Sequence, residues 1–459
     1  MTVDIAALFS AHEADRYALH SRHLNEQMVR MLRAIGYDVR FTSGRGQYLY
    51  DQTGQRYLDL LSGFGVFALG RNHPTVRDAL KSVLDSDLPN LVQLDVAPLA
   101  GILAQRLLAR VPGMQKVFFA NSGAEAVEGA LKFARMATGR AAVAYCSHAF
   151  HGLTYGALSL NGDAIYRDGF GPLLPECREV AFNDLAALDA LLRKRDVAAF
   201  IVEPVQGKGV HLPAADYLAE ALKLCRRYGT LFIADEIQCG LGRTGRFLAL
   251  EHWGIEPDMV LLAKALSGGH VPVGAVLGRA AIFDKVFDRI DRAVVHGSTF
   301  AKNDMAMAAG IATLEVLENE RLIEHAAQMG TRLLARFQPM VGRYEMLKEV
   351  RGLGLMLGLE FGAPRSLTLK PSWSLLETAS KGLFCQSIAI PLFKEHHMLC
   401  QVSGHESRTI KLLPSYMING DDCDSIGTAF EQVIADSHRV GTAVSLTKTL
   451  VGHALKARA

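Results

Sequence analysis

Cysteine is sparse and scattered in this chain. Seven residues occur among 459, none in a Cys-x-x-Cys pair. An odd, dispersed set excludes a disulfide framework and fits reduced thiols in the cytoplasm. Charge of one sign is missing too: 49 Lys and Arg face 47 Asp and Glu, a net of +2. That balance excludes a nucleic-acid binder that works by bulk electrostatics. No uncharged apolar run approaches the roughly 18 residues of a membrane span. The opening MTVDIAALFSAHEADRYALH lacks the unbroken apolar core of a signal peptide. Internal repeats and low-complexity linkers are absent.

What is plentiful is apolar sequence, 49% of residues, enough for a large core. From about residue 100, short apolar runs alternate with helix-length amphipathic segments. The runs are Val117–Ala120, Ala142–Cys146, Ala199–Val202, Leu231–Ala234, Met259–Leu262 and Val273–Leu277. Their continuous apolar character suits strands buried on both faces. Helices are expected at Ala124–Ala137 and Asp216–Tyr228, the second stopped by Gly229. This alternation predicts an α/β fold with a mostly parallel sheet wrapped by helices. The first 60 residues read as a helix and then short strands at Val39–Thr42, Gln47–Tyr50 and Arg56–Leu60. The last third mixes strands (Glu349–Arg351, Leu355–Phe361, Thr409–Leu413) with helices. We therefore expect an N-terminal segment (1–65) joined to a smaller α+β domain (342–459), and a large domain at 66–341. Within Ser437–Ala459, Val440, Val444, Val451 and Leu455 have helical spacing, which suits a helix packed on its own domain or one lying on a membrane surface.

Ligands of such sheets bind beyond the carboxyl ends of the strands, and four runs end in chemically loaded residues. Lys264 closes the segment MVLLAKALSGG. A lysine there is either an ordinary strand-end residue or an amine able to form a Schiff base with an aldehyde. Ser122, Gly123 and Ala124 stand between a strand and a helix start. They suit a phosphate at the helix N-terminus, or Ser122 is simply an N-cap. In SHAFHG, Phe150 can stack on a planar ring. His148 and His151 are spaced as metal ligands could be, but no third ligand accompanies them, so no metal is expected. Asp235 ends LFIAD, and a carboxylate buried there needs a cationic partner, such as a protonated pyridine nitrogen, unless it caps the next element. Together these four features are what pyridoxal phosphate requires. Gly240–Gly245 (GLGRTG) fits the dinucleotide pattern G-x-G-x-x-G but neither follows a strand directly nor opens a helix, so it is set aside.

The motifs YLYDQTGQRYLDLLSG, GRNHP, ANSGAEAVEGALKFAR, HAFHG, VEPVQGKGV, LFIADEIQCGLGRTGRF, PDMVLLAKALSGG and HGSTF stand in one order between Gly44 and Met417. Over that span the chain resembles the class III pyridoxal-phosphate aminotransferases, the group of ornithine, acetylornithine, 4-aminobutyrate and polyamine transaminases. The resemblance implies a fold-type-I homodimer with cofactor sites at the subunit boundary. It implies that Lys264 holds the cofactor covalently and that Asp235 pairs the pyridine nitrogen. Gln238 would approach the ring hydroxyl, with Glu203 behind it. Phe150 and Ile237 would sandwich the ring beside His151, and Ser122, Gly123 and Ala124 would hold the phosphate. Thr299 would reach the neighbouring subunit's cofactor. The implied reaction is a ping-pong exchange of an amino group between an amine donor and a carbonyl acceptor.

The chain departs from the family at its substrate residues. Amino-acid-using members carry a Glu and an Arg that pair as a switch; here Lys208 and Lys411 stand at those places. Two ammonium groups about 4 Å apart would repel by roughly 1–4 kcal/mol. Either they stand apart, or a substrate anion lies between them. Arg408 has the wrong register to replace the arginine. Ornithine-type relatives have Tyr and Arg where this chain has Phe64 and Leu153. A carboxylate facing those two would lose charge-assisted hydrogen bonds worth about 1.5–3 kcal/mol each. A polyamine, ω-amine or apolar amine is therefore the expected donor. The alternatives are an ornithine- or acetylornithine-type transaminase, a same-fold aminomutase, racemase or decarboxylase, or a cofactor-fold protein acting as a binding module.

Overall fold

The computed structural model describes residues 3–439. The helix-like tail beyond residue 439 lies outside the described residues. A seven-stranded sheet forms the centre. Its spatial order is Lys116–Ala120, Gly274–Gly278, Met259–Leu262, Leu231–Asp235, Val197–Val202, Ala142–Cys146, Cys177–Val180. Every strand but Gly274–Gly278 runs the same way. The runs Ala142–Cys146 and Met259–Leu262 become strands with the expected bounds, and each is buried along its whole length. Cys177–Val180 is the one strand of this sheet that hydrophobic runs do not reveal. It is an edge strand, and its polar residues Arg178 and Glu179 need no buried environment.

The helix Gly123–Thr138 packs across this sheet through Ala126, Val127, Ala130, Leu131, Phe133 and Ala134. Tyr217–Tyr228 covers the other face and ends at Gly229, whose φ of 67° closes the helix in the left-handed region.

Two smaller sheets flank the central one. Leu347–Leu353, Met356–Phe361, Thr409–Leu412 and Gln401–Ser403 form an antiparallel sheet. Phe41–Arg45, Tyr48–Asp51 and Arg56–Asp59 form another, extended in parallel by Met398–Leu399. The N-terminal strands thus pair with sequence from the last third. Ahead of them lie three helices rather than one: Ile5–His12, Arg16–His23 and Glu26–Ile35.

The set-aside GLGRTG segment is a turn whose Arg243 is wholly buried. Its guanidinium donates to the carbonyls of Leu355 (3.1 Å) and Pro414 and lies 4.7 Å from the Tyr416 ring. It joins the central sheet's loops to the C-terminal region. Among the described residues, no helix is long and apolar enough to cross a membrane.

Candidate active site

The carboxyl ends of the parallel strands open onto a cavity of about 470 Å³. Ser122, Gly123, Ala124, Phe150, His151, Glu203, Asp235, Ile237, Gln238 and Lys264 all line it. Residues from five separate segments, spread over more than a hundred positions, therefore meet in one space.

Lys264 follows the buried strand Met259–Leu262 and begins a short 3₁₀ turn. Its φ is +43°, in the left-handed region, which costs a non-glycine residue roughly 1–3 kcal/mol. The half-buried amine is surrounded by protein but opens into the cavity. Burial pulls its proton affinity below the ordinary lysine value, although the charges of Asp235 and Glu203 oppose the shift.

Asp235 is buried, and each of its oxygens accepts one hydrogen bond. One carboxylate oxygen accepts from His151 Nδ1 at 2.7 Å, and the other from the Ile237 N–H at 3.1 Å. Burial alone would lower the affinity of His151 for a proton. The hydrogen bond and charge of Asp235, with Glu203 behind, raise it on balance. His151 is fixed in turn by Asn161, whose side chain accepts from the His151 N–H (3.0 Å) and donates to the Gly152 carbonyl (2.8 Å). The other ring nitrogen, Nε2, is buried without a partner. His148 turns elsewhere, its ring 4.3 Å from that of His405 and 5.9 Å from that of His211. Among the described residues, no group of His, Cys, Asp and Glu side chains could hold a metal ion.

The anion end is the N-terminus of the 16-residue helix Gly123–Thr138. Ser122 Oγ caps it by accepting from the Glu125 N–H (3.1 Å), and its own hydroxyl hydrogen remains available to a ligand. Both readings of Ser122, cap and phosphate contact, are therefore compatible. Gly123 is closely packed: a Cβ there would lie 3.0 Å from Ile237 Cδ1. Glu125 reaches back to the Asn121 N–H (2.8 Å), and the Asn121 amide donates to Ser298 Oγ at 2.6 Å. This ties the HGSTF loop to the cradle. Thr299 itself is exposed and does not line the cavity of its own chain.

Glu203 is buried and accepts from the Phe150 N–H (3.0 Å) and the Gly207 N–H (2.8 Å). Burial raises its proton affinity, opposed by the charge of His151. Gln238 donates to the Phe64 carbonyl at 3.1 Å, leaving its Oε1 buried and unpartnered. Gly207 has no room for a side chain, since a Cβ would stand 2.6 Å from that oxygen.

The residues expected to meet substrate are placed less tightly. Phe64 and Leu153 are 49% and 58% exposed and adjoin the cavity only through Gln238 and Gly152. Lys208 and Lys411 each have a partner of their own, and the charge of Lys208 still bears on Lys411. Lys208 forms an ion pair with Asp163 and lies 5.0 Å from the Tyr166 ring. Lys411 is buried and donates to the Gly207 carbonyl at 3.0 Å. Arg408 turns to Glu406 (2.6 Å) and Glu377 (3.9 Å), so it does not replace the arginine. Asp163, Tyr166 and Asn161 escape sequence reasoning: Lys208, the partner of the first two, lies more than forty positions on, and no local pattern marks Asn161 as the partner of His151.

Known proteins resemble this chain in sequence and fold. The family described as "Aminotransferase class-III" matches residues 34–434. Aminotransferase PigE of a Serratia species is 35% identical over 452 residues, covering 91% of this chain and 53% of that protein. The chain thus spans about half that relative's length. Acetylornithine aminotransferase of Bacillus cereus is 41% identical over 323 residues, covering 70% of this chain and 81% of that protein. Among solved structures, the ornithine aminotransferase of Toxoplasma gondii ME49 superposes with a TM-score of 0.82 at 29% identity. It covers 95% of this chain and 99% of that one. A PLP-bound amine transaminase from an uncultivated Pseudomonas species gives 0.74 at 30% identity, covering 86% and 94%. The fold is fold type I, and with the family match running from residue 34 to residue 434, this chain belongs to the class-III aminotransferases, whose cofactor is pyridoxal phosphate.

Proposed function

We propose that the protein transfers an amino group from an amine without a carboxylate at the end that faces Phe64 and Leu153 to a 2-oxo acid or aldehyde. The carrying observation is the shared cavity. It holds a half-buried, deprotonation-prone lysine, a buried carboxylate with a histidine partner, and a helix N-terminus.

The residues present fit pyridoxal phosphate. The free N–H groups at Ser122–Ala124 would take the phosphate. Phe150 and Ile237 would flank the ring, and Asp235, oriented by His151, would face its nitrogen. Gln238 and Glu203 would stand on the hydroxyl side, and Lys264 would hold the group covalently. When bound, the cofactor supplies an electron-accepting ring that stabilises negative charge on the substrate carbon. Lys264 Nζ is the base that takes the proton from that carbon and later returns it. Its burial favours the neutral amine such a base needs. Asp235 would stabilise positive charge on the ring nitrogen it faces.

Phe64 and Leu153 carry no charge for a carboxylate, which favours a polyamine, ω-amine or apolar amine as donor. A second reading, an acetylornithine-type donor, draws on the 41% identity to the Bacillus enzyme. The transaminase names of the relatives favour amino-group exchange over mutase, racemase or decarboxylase chemistry. Exposed Leu94, Val96, Ile290, Val294 and Phe300 offer an apolar surface to a second copy. Thr299 of each copy would then reach its neighbour's site. Seven free cysteines, six of them buried, suit a reducing cytoplasm.

The test is a half-reaction screen. The enzyme is loaded with pyridoxal phosphate, amines are added singly, and conversion of the bound cofactor to its amino form is followed by absorbance. Putrescine and alkyl amines should convert it faster than ornithine or acetylornithine. A tenfold advantage for either amino acid would overturn the donor assignment.

A further inference from the structure

We propose that Asp59 and Arg71 are positioning residues of the candidate active site. Through the turn Ser62–Gly65 they fix the Phe64 carbonyl, and that carbonyl sets the Gln238 amide so that its oxygen, not its nitrogen, is offered to a bound ligand. The proposal rests on the transaminase reading above and names the ligand chemistry this wall accepts, a hydroxyl or N–H donor.

Four consecutive residues of the turn are left-handed: Ser62, Gly63, Phe64 and Gly65 have φ of 46°, 61°, 62° and 88°. Residues other than glycine avoid that region, so Ser62 and Phe64 keep it only where their neighbours over-determine it. Asp59, 2% exposed, supplies the hold. Its Oδ1 accepts from the N–H groups of Leu61 (3.0 Å) and Ser62 (2.8 Å), and the Ser62 hydroxyl donates to the Asp59 carbonyl (3.3 Å). Its Oδ2 accepts from Arg71 Nε (3.1 Å) and Nη2 (2.7 Å), which fixes the carboxylate. The Arg71 guanidinium also lies 4.2 Å from the Phe67 ring. The Phe67 N–H closes the turn on the Ser62 carbonyl at 2.9 Å. Both Asp59 oxygens are thus engaged within the protein, and neither Asp59 nor Arg71 lines the cavity.

What this scaffold delivers to the site is the Phe64 carbonyl, which accepts from Gln238 Nε2 at 3.1 Å. A carbonyl can only accept, so it must face the NH2 group, and the orientation of the amide follows. Oε1 is left buried without a donor, in a residue that lines the cavity. A Cβ on Gly207 would stand 2.6 Å from this oxygen and 3.1 Å from Glu203 Oε1, so a second acceptor lies beside the first. Buried acceptors need donors. A ring hydroxyl or an amine N–H brings one, and a bare oxyanion does not.

The test is a double-mutant cycle on the protein loaded with pyridoxal phosphate. The readouts are the pH midpoint at which the bound cofactor's absorbance changes and the cofactor's dissociation constant. An acceptor favours the protonated form of its partner, so Gln238→Ala should lower the midpoint by about half a unit to one unit and weaken binding about threefold or more. Arg71→Ala removes the hold on Asp59. Gly65→Ala acts on backbone preference, since its Cβ would meet nothing closer than 3.9 Å. Each should act in the same direction as Gln238→Ala and add almost nothing once Gln238 is alanine. Asp235, His151, Glu203 and Lys264 are present in every variant, so their charges drop out of the comparison. Gly54→Ala is the control. Gly54 has a φ of 83° and open space around it, so the variant should lose stability as Gly65→Ala does and keep both wild-type readouts. The affinity cycle decides the matter where the wild-type midpoint falls outside the stable pH range. Readouts unmoved by Gln238→Ala, or unmoved by both Arg71→Ala and Gly65→Ala, would overturn the proposal. So would effects that add in full to Gln238→Ala, or that Gly54→Ala reproduces. Neither readout involves amino transfer. A coupled cycle beside a failed amine screen would sink the transaminase reading and leave the positioning role standing.

Discussion

The two ends of the cavity are built on different principles. At the end expected to hold the cofactor, three polar side chains are buried and held: Asp235 by His151, His151 by Asn161, and Glu203 by two backbone N–H groups. At the substrate end, Phe64 and Leu153 are exposed, Lys208 is drawn aside to Asp163, and Lys411 has one acceptor. The difference teaches that the rigid end is suited to a resident group that never changes. The loosely determined end is suited to a succession of guests of differing charge. Preorganised dipoles work where charge always develops in the same place.

The largest way to break this contrast is at Lys264. Lys264→Ala should remove the absorbance of the covalently held cofactor and lower turnover by more than about a thousandfold. Wild-type turnover in that variant would end the assignment.

Asp235→Asn comes next. It leaves His151 without its anionic partner and should reduce kcat by about a hundredfold or more, while the helix N-terminus still retains the phosphate. Turnover and cofactor content measured together separate the two effects.

The substrate end is sharpened by adding what it lacks. Phe64→Tyr with Leu153→Arg should raise kcat/KM for ornithine by about tenfold or more, since each restored charge-assisted hydrogen bond is worth about 1.5–3 kcal/mol. An unchanged ratio of ornithine to putrescine would show that those positions do not face the donor.

The smallest effect is expected at Asp163→Asn. This releases Lys208 and should lower stability by about 1 kcal/mol or less, read by chemical denaturation. Burial raises the proton affinity of Asp163, but its bonds to Lys208 and the Ile165 N–H lower it on balance. Its contribution is therefore present at neutral pH and is lost as pH falls through the lowered carboxylate value. A stability difference between wild type and variant that grew at low pH would contradict the pairing.

Much of the rigid end was legible in the sequence. Strands such as Ala142–Cys146 and Met259–Leu262 are apolar without interruption because they are buried on both faces. The residue that breaks each run, Asp235 or Lys264, therefore stands out against its surroundings. Helix ends were similarly marked, Ser122 by its capping hydroxyl and Gly229 by its left-handed backbone. The edge strand Cys177–Val180 was not legible, since half-solvated strands carry no such run.

Sequence alone determined which residues could do chemistry and at which strand ends they would stand, because periodicity and strand-end polarity are local properties of the chain. Only the tertiary structure decided what each charged group meets. Lys208 and Asp163 are 45 positions apart, and Lys411 and Gly207 are 204 apart. No local pattern encodes such meetings. The charge state of a buried lysine depends on the whole shell of neighbours that folding assembles around it.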